Sequence, residues 1–167
     1  SPEIHRNILE IGCGNGRNMR YRPELQIIGC DIIPKFIDIC KGRDLEVSFS
    51  DQRALTYESE TFDVVLSIAV LHHLYLKDDR TTSINEIIRV LKPNGLCYIQ
   101  VWKNITPNDL EDTHFVNWSD VQNKKTYKRF YHLFQEYEFR KLFDRNDIKI
   151  IKFFEERGNY ICIFQKI

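Results

Sequence analysis

The fold is decided by the stretch Asn7-Ile8-Leu9-Glu10-Ile11-Gly12-Cys13-Gly14-Asn15-Gly16, in which a short apolar run leads directly into alternating glycines. Glycine adopts positive φ at little cost and lets a backbone approach a ligand closely, so the stretch predicts a strand followed by a ligand-binding turn. The spacing is G-x-G-x-G, whereas dinucleotide-binding folds use G-x-G-x-x-G to place a pyrophosphate at a helix N-terminus. The pattern therefore favours a ligand other than NAD.

Outward from this turn, short apolar runs alternate with amphipathic segments, an order typical of βαβ units. Helices are predicted over residues 34–40, 79–91 and 134–143, the first with proline in its first turn. Strands are predicted over residues 7–11, 26–31, 45–50, 62–68, 96–102, 148–154 and 160–165.

The last two predicted strands are joined by residues 155–159, a connection too short for a crossover helix, so they should pair as an antiparallel hairpin. The sequence thus predicts a doubly wound, Rossmann-like α/β domain with a seven-stranded, mostly parallel sheet that ends in an antiparallel hairpin. Residues 1–167 should form a single domain. In residues 103–126 the apolar residues follow neither the helical period of 3.6 nor the strand period of 2, although aromatic side chains are embedded there. We interpret this segment as a substrate loop.

The composition excludes several classes of protein. Lysine plus arginine and aspartate plus glutamate each number 24 in the 167 residues, so a nucleic-acid partner would have to be held by a local basic patch. No apolar run is long enough to span a bilayer, which argues against a membrane protein. The cysteines are scattered without C-x-x-C spacing, which predicts reduced thiols, no metal site, and a cytoplasmic or nuclear location.

Acidic residues stand at the ends of the first three predicted strands: Glu10, Asp31 and Asp51. Ligands of open α/β sheets bind outside the carboxyl ends of the strands, where an acid can accept hydrogen bonds from ribose hydroxyls. Each acid also has a milder interpretation, since Asp31 could cap a helix and Asp51 could begin a turn. Together they predict a nucleoside site. Glu10, next to the turn, could accept a hydrogen bond from an ammonium group of the ligand, or it could fix the loop by accepting hydrogen bonds from backbone amides.

With these positions, the sequence resembles the class I methyltransferases, and the resemblance covers residues 7–102. Its further matches are the run Phe62-Asp63-Val64-Val65-Leu66-Ser67-Ile68-Ala69-Val70-Leu71-His72-His73 and the run Leu91-Lys92-Pro93-Asn94-Gly95. The implied cofactor is S-adenosyl-L-methionine. The cofactor-binding residues implied by the resemblance are Glu10, Gly12, Gly14, Gly16, Asp31, Ile32, Asp51, Gln52, Ser67 and Ala69.

Four stretches resemble one narrower family, the eukaryotic tRNA wobble-uridine carboxymethyl methyltransferases, which include the methyltransferase domain fused to an AlkB-like dioxygenase. They are Ile11-Gly12-Cys13-Gly14-Asn15-Gly16-Arg17, Ile28-Gly29-Cys30-Asp31, Ser67-Ile68-Ala69-Val70-Leu71-His72-His73 and Arg129-Phe130-Tyr131-His132-Leu133-Phe134. The resemblance implies methylation of the carboxylate of 5-carboxymethyluridine in a tRNA anticodon loop. It also implies a heterodimer with a small zinc-binding activator subunit, and helices ahead of the first strand that this sequence lacks.

The acceptor carboxylate needs a cationic clamp, and Arg129 is the first candidate because a guanidinium binds carboxylates bidentately. His132, Tyr131 and His72 are further catalytic candidates, although a cap or core role is an alternative for each. Substrate-binding candidates are the aromatic residues Trp102 and Trp118, which could stack on a base, and the basic residues Lys124, Lys125 and Lys128, which suit phosphates or form a solvated face.

Two other interpretations stay open. A small-molecule methyltransferase of the quinone-biosynthesis type would share the cofactor motifs but would not require Arg129 or the basic cluster. A non-catalytic scaffold would bind no cofactor. The third predicted strand, residues 45–49, is hydrophobic and could be an unpaired edge that the activator subunit extends.

Overall fold

A computed structural model describes residues 7–105, 113–120 and 125–167. Its helices are α1 (Arg17–Tyr21), α2 (Pro34–Lys41), α3 (Lys77–Val90) and α4 (Glu136–Lys141). Its strands are β1 (Ile8–Ile11), β2 (Ile27–Asp31), β3 (Val47–Phe49), β4 (Phe62–Ile68), β5 (Leu91–Trp102), β6 (Thr113–Asp120), β7 (Lys125–His132), β8 (Ile148–Glu156) and β9 (Asn159–Lys166).

Seven strands form one sheet in the order β3-β2-β1-β4-β5-β9-β8. The first five strands run parallel, while β9 pairs antiparallel with both β5 and β8. The predicted α/β fold with its antiparallel terminal hairpin is therefore confirmed. Chain order reverses between β1 and β4, and such a switch point opens the crevice in which doubly wound sheets bind ligands.

The core forms where apolar side chains of the central strands meet the helices on the faces of the sheet. Leu9, Val65 and Ile99 are buried on three of the central strands, and Ile84 and Ile87 cover them from α3. Parallel strands are covered on both faces, which explains why their apolar residues run consecutively rather than alternating. All five cysteines are buried free thiols.

The prediction for residues 103–126 is wrong in one respect, because β6 lies within the segment that was interpreted as a structureless loop. β6 pairs antiparallel with β7 in a separate two-stranded sheet, with Phe115 opposite Phe130. Phe115, Asn117 and Lys128 are exposed, and the buried side chains described in the hairpin, Tyr131 and His132, are adjacent at the end of β7, so burial imposes no period-two pattern on its sequence. Its position beside the crevice still allows a role in substrate binding.

Two smaller corrections concern helix and strand ends. The helix predicted over 134–143 is restricted to Glu136–Lys141, because Phe134 forms an isolated parallel bridge with Lys103 and packs in the core. β5 begins at Leu91 rather than residue 96, with Asn94 at φ 65° in an irregular part of the strand. Among the helices described, none is long and apolar enough to cross a bilayer.

Candidate functional site

The glycine turn after β1 forms one wall of a cavity of about 790 Å³ at the carboxyl ends of β1, β2 and β4. Gly12, Gly14 and Gly16 have φ values of 66°, 54° and 75°, a region that favours glycine. A Cβ at Gly12 would lie 2.5 Å from the Val70 side chain, whereas a Cβ at Gly14 would meet nothing within 4 Å. Gly12 is therefore required for packing, and Gly14 presents bare backbone to the cavity.

Asp31 ends β2 and holds the turn in place. Its Oδ2 accepts a hydrogen bond from the Gly14 amide and its Oδ1 accepts one from the Ile33 amide, both at 2.9 Å. The residue is 7% exposed and lines the cavity. Because each carboxylate oxygen has a second lone pair, Asp31 can still accept hydrogen bonds from two ligand hydroxyls.

Glu10, predicted to bind the cofactor, lies behind the turn, outside the cavity lining, and is 2% exposed. Its Oε1 accepts a hydrogen bond of 2.6 Å from the Asn18 side chain on α1, while Oε2 is buried with no hydrogen-bond partner in the part of the chain that the structure describes. Burial raises the pKa of Glu10, and the Asn18 hydrogen bond opposes that rise. A nearby cationic ligand group would favour the ionised carboxylate.

Residues that follow β2 and β3 add apolar and polar surfaces to the cavity. Ile32 is half exposed and lines it, so it offers an apolar surface to a ligand ring. The Asp51 carboxylate is held by Arg53 at 2.6 Å, and this guanidinium lowers the pKa of Asp51 and also reaches Asp79 at 3.0 Å. Gln52 accepts a hydrogen bond from Ser83 through Oε1, which leaves its amide N–H groups as donors.

Ser67 and Ala69 at the end of β4 were both predicted to bind the cofactor, but only Ala69 lines the cavity. Ala69 lines the cavity with φ 59°, an unusual value for a residue with a side chain, and its amide donates to the Gln100 carbonyl at 3.0 Å. Ser67 is fully buried, outside the cavity wall, and its Oγ has no partner among the described residues. Gly16 is likewise set back, packed against Leu45.

Residues of β7 and of the turn after β4 enclose the remaining side of the cavity. Arg129, Phe130, His73 and Tyr75 all line it. The Phe130 carbonyl accepts a hydrogen bond from His73 Nδ1 at 3.0 Å, and the Phe130 ring meets Tyr75 edge to face. Burial lowers the pKa of His73, and the Arg129 charge adds to that effect. This end of the cavity therefore offers a guanidinium, a neutral imidazole and aromatic rings.

Three of the predicted catalytic and substrate residues form an aromatic cluster beside the cavity rather than in its described wall. Trp102 and Tyr131 stack with ring centroids 4.6 Å apart and an angle of 9° between the planes. His72 packs against both rings, and its Nδ1 accepts a hydrogen bond from the Trp102 amide at 3.2 Å. The cluster fixes the strand end and the turn that carry the cavity residues.

His132, predicted as catalytic, points away from the cavity. Its Nε2 lies 2.8 Å from both carboxylate oxygens of Glu138, and Glu138 also binds Arg80 at 3.2 Å. Burial would raise the pKa of Glu138, but the His132 hydrogen bond and the Arg80 charge bring it below its usual range. This buried network ties β7 to α3 and α4, so His132 has a structural role here.

The predicted RNA-contacting residues fall mostly on β6 and β7 or next to them. Lys124 lies outside the described residues, and Trp118 and Lys125 are described only as positions on β6 and β7. Lys128 is exposed on β7. Sequence reasoning did not single out Phe130 and Tyr75 as site residues. Recognising residues 125–132 as a strand packed over the turn after β4 would have found them.

The buried His72 gives a testable pH dependence. Burial, with smaller contributions from the charges of His73 and His132, lowers the pKa of His72 to about 3. An unfolded histidine takes up a proton below about pH 6.5, whereas folded His72 does not until about pH 3, so this site lowers stability as the pH falls through that window. Between pH 7 and pH 5 the loss should be about 2 kcal/mol.

His72→Asn isolates this effect because its side-chain oxygen keeps an acceptor for the Trp102 amide and cannot titrate. We expect urea unfolding of the wild type at pH 7 and pH 5 to show a drop in free energy about 2 kcal/mol larger than in the variant. An identical pH dependence in the two proteins would contradict the assignment, whatever their absolute stabilities.

Comparison with known proteins gives a consistent result. A family model described as a methyltransferase domain matches residues 9–99. A relative from Arabidopsis thaliana named tRNA (carboxymethyluridine(34)-5-O)-methyltransferase is 40% identical over 118 residues, which are 70% of this chain and 28% of that protein. The chain thus spans little more than a quarter of the length of this curated relative.

Solved structures match over nearly the whole chain. A SAM-dependent methyltransferase from Methanosarcina mazei has a TM-score of 0.78 at 21% identity, with 100% of this chain and 98% of that chain covered. A methyltransferase solved in complex with the Haloferax volcanii Trm112 methyltransferase activator has a TM-score of 0.71 at 14% identity, with 97% and 82% covered. At these identities the structures support the fold.

Proposed function

Because the chain belongs to the methyltransferase domain family, we propose that it transfers a methyl group from S-adenosylmethionine to the carboxylate of 5-carboxymethyluridine at the wobble position of a tRNA anticodon, giving 5-methoxycarbonylmethyluridine. The observation that carries the proposal is a single cavity whose lining includes both the nucleoside-binding residues Gly14 and Asp31 and the arginine Arg129.

The residues of the glycine turn and of the end of β2 fit the cofactor. Asp31 has lone pairs for the ribose hydroxyls, Gly14 leaves room for a ligand against the backbone, and Ile32 offers an apolar surface to the adenine ring. Glu10 has a buried oxygen without a described partner, and an ammonium group is suited to such a carboxylate. When bound, S-adenosylmethionine supplies an electrophilic methyl group on its sulfonium sulfur.

Arg129 is the proposed carboxylate clamp. A carboxylate is ionised at pH 7 because carboxyl groups titrate near pH 4, so its methylation needs no general base. What the protein must supply is alignment of the acceptor oxygen with the methyl group, which accounts for most of the rate in such a transfer. Arg129 binds the acid, and the neutral His73 lines the same cavity, held by the hydrogen bond from its Nδ1 to the Phe130 carbonyl.

The rings of Tyr75 and Phe130 at the cavity mouth support the entry of an unpaired base. Single-stranded RNA bases are recognised by stacking on aromatic side chains after they splay out of a loop. Tyr75 is 67% exposed although it lies against Phe130, so one side of this pair is open to a ligand. An anticodon nucleotide would enter over these rings and place its carboxylate at Arg129.

The proposal includes an activator subunit of the kind bound by the Haloferax relative of this fold, which would pair with the chain as a heterodimer. β3 is three residues long, stands at the edge of the sheet, and exposes 56% of Phe49. A strand from a partner could extend this edge and cover Phe49. A chain that is monodisperse and fully active alone would contradict this part of the proposal.

The function is tested by following tritiated methyl transfer from S-adenosylmethionine to two acceptors. One is an anticodon stem-loop that carries 5-carboxymethyluridine, and the other is a quinone-type phenol acceptor of a small-molecule methyltransferase. We expect label in the RNA only. Transfer to the phenol instead would support the small-molecule alternative, and failure to bind S-adenosylmethionine in titration calorimetry would support a non-catalytic scaffold.

A further inference from the structure

A second concavity lies on the surface beside the glycine turn, on the helix that follows it. Its volume is about 530 Å³, and we call it the basic groove; its lining residues are Asn15, Arg17, Asn18, Arg20, Tyr21 and Arg43. The proposed methyl transfer uses none of these side chains, apart from the Asn18 contact to Glu10. The chain has no net charge, yet three arginine side chains are concentrated in this one concave surface.

The guanidinium groups of the groove are available to a ligand. Arg17 and Arg20 are exposed, and within the described ranges neither forms an ion pair. Arg43 donates a hydrogen bond to the Asn15 carbonyl at 2.6 Å, which fixes it against the turn. A guanidinium with no carboxylate partner retains a full set of donors in the fork geometry that matches phosphate oxygens.

Tyr21 adds an aromatic surface to the same groove. It is 83% exposed at the end of α1, more than Tyr75 at the mouth of the larger cavity. The exposed ring offers a stacking surface beside the cationic side chains, and bases stack on such rings irrespective of sequence. The combination of guanidinium groups and an open ring is typical of surfaces that bind single-stranded nucleic acid.

The basic groove adjoins the proposed active site, because Asn15 lines both cavities. α1 begins immediately after Gly16, so the groove is fixed relative to the turn that contacts the cofactor. A polymer whose reacting nucleotide occupies the larger cavity would extend along the surface on which the groove lies. A free nucleoside or small phenol would not reach it.

We propose that the basic groove binds backbone phosphates of the RNA substrate next to the nucleotide being methylated, with Arg17 and Arg20 on the phosphates and Tyr21 stacked on a neighbouring base. The assignment rests on the proposed tRNA methylation. Phosphates fit better than the side chains of an acidic protein partner, because the open ring of Tyr21 next to the cations gives a base a stacking surface.

The test is the salt dependence of binding, measured by fluorescence anisotropy with the anticodon stem-loop that carries 5-carboxymethyluridine. Removal of one phosphate-binding side chain should reduce the slope of log affinity against log salt concentration by about 1. We expect Arg17→Gln with Arg20→Gln to reduce the slope by about 2 and to weaken binding roughly 10-fold or more at low salt. Affinity for S-adenosylmethionine should stay at the wild-type value.

The matched control is Lys149→Gln with Lys152→Gln, which removes the same charge from exposed positions on β8 at the far edge of the sheet. This variant should keep the wild-type slope. Tyr21→Ala should weaken RNA binding roughly 10-fold with an unchanged slope, because stacking releases no counterions.

The outcomes separate the groove from the proposed function. If the wild type methylates the RNA and the double arginine variant keeps the wild-type slope and affinity, the groove assignment is wrong while the function stands. If the wild type neither binds nor methylates the RNA, alone or with an activator subunit, both are wrong. If the variant binds RNA normally but loses binding to polyglutamate, the groove is a protein-docking surface and the assignment is overturned.

Discussion

Asp31→Ala is expected to weaken binding of S-adenosylmethionine roughly 100-fold. A hydrogen bond to a charged group contributes about 1.5–3 kcal/mol, and loss of bonds to two ribose hydroxyls totals about 3 kcal/mol, which is about 100-fold in affinity. The same change removes the acceptor for the Gly14 and Ile33 amides, so the turn that forms the cavity wall also loses its support. Titration calorimetry with the purified chain measures the effect.

Asp38→Ala is the matched control, since Asp38 is an exposed carboxylate on α2, seven positions after Asp31. It should bind the cofactor like the wild type. Asp31→Asn keeps one acceptor oxygen, so it should retain only one of the two hydrogen bonds from the Gly14 and Ile33 amides and bind the cofactor more weakly than the wild type. Wild-type affinity in a folded Asp31→Ala protein, with folding checked by thermal unfolding, would rule out the nucleoside assignment of this cavity wall.

Arg129→Ala is expected to lower kcat/KM for methylation of the carboxymethyluridine RNA by about 100-fold or more, with S-adenosylmethionine affinity within about twofold of the wild type. Truncating one partner of a buried charge pair costs about 2–5 kcal/mol. The loss should fall on the acceptor because Arg129 lines the cavity from β7, whereas the residues assigned to the cofactor follow β1 and β2. Single-turnover methylation with saturating cofactor measures it.

Lys149→Ala provides the control for Arg129. Lys149 is exposed on β8 at the edge of the sheet, and its truncation removes the same charge outside the cavity, so this variant should methylate at nearly the wild-type rate. Arg129→Lys should be intermediate, since an ammonium retains the charge without the bidentate geometry. An Arg129→Ala enzyme as fast as the Lys149→Ala enzyme would remove the carboxylate clamp from the proposal.

The parallel sheet could be predicted because its strands are apolar on consecutive positions and end in glycines and acids. β4, for example, was predicted over the same residues, 62–68, that the structure gives it. The β6–β7 hairpin could not, since exposed side chains such as Phe115 and Lys128 leave no burial pattern in the sequence, and the buried side chains described in it, Tyr131 and His132, stand together at the end of β7. Its strands are defined by backbone pairing, which composition does not encode.

In the candidate site, too, some residues could be predicted from the local sequence and others could not. Gly12, Gly14 and Asp31 were predicted from spacing alone, because local backbone requirements determine them. The acceptor end depends on which side of a strand faces the cavity, and that follows from tertiary packing. His72 was predicted as catalytic, yet its neighbour His73 lines the cavity while His72 packs against Trp102.

The most direct test of the account is the position of the transferred methyl group. The purified chain, with an activator subunit if one proves necessary, is given tritiated S-adenosylmethionine and either of two anticodon stem-loops that differ only in carrying 5-carboxymethyluridine or uridine at the wobble position. We predict label only in the carboxymethyl RNA, in a nucleoside that loses it to mild alkali as a methyl ester does. Equal labelling of both RNAs, or label that resists alkali, would contradict transfer to the carboxylate.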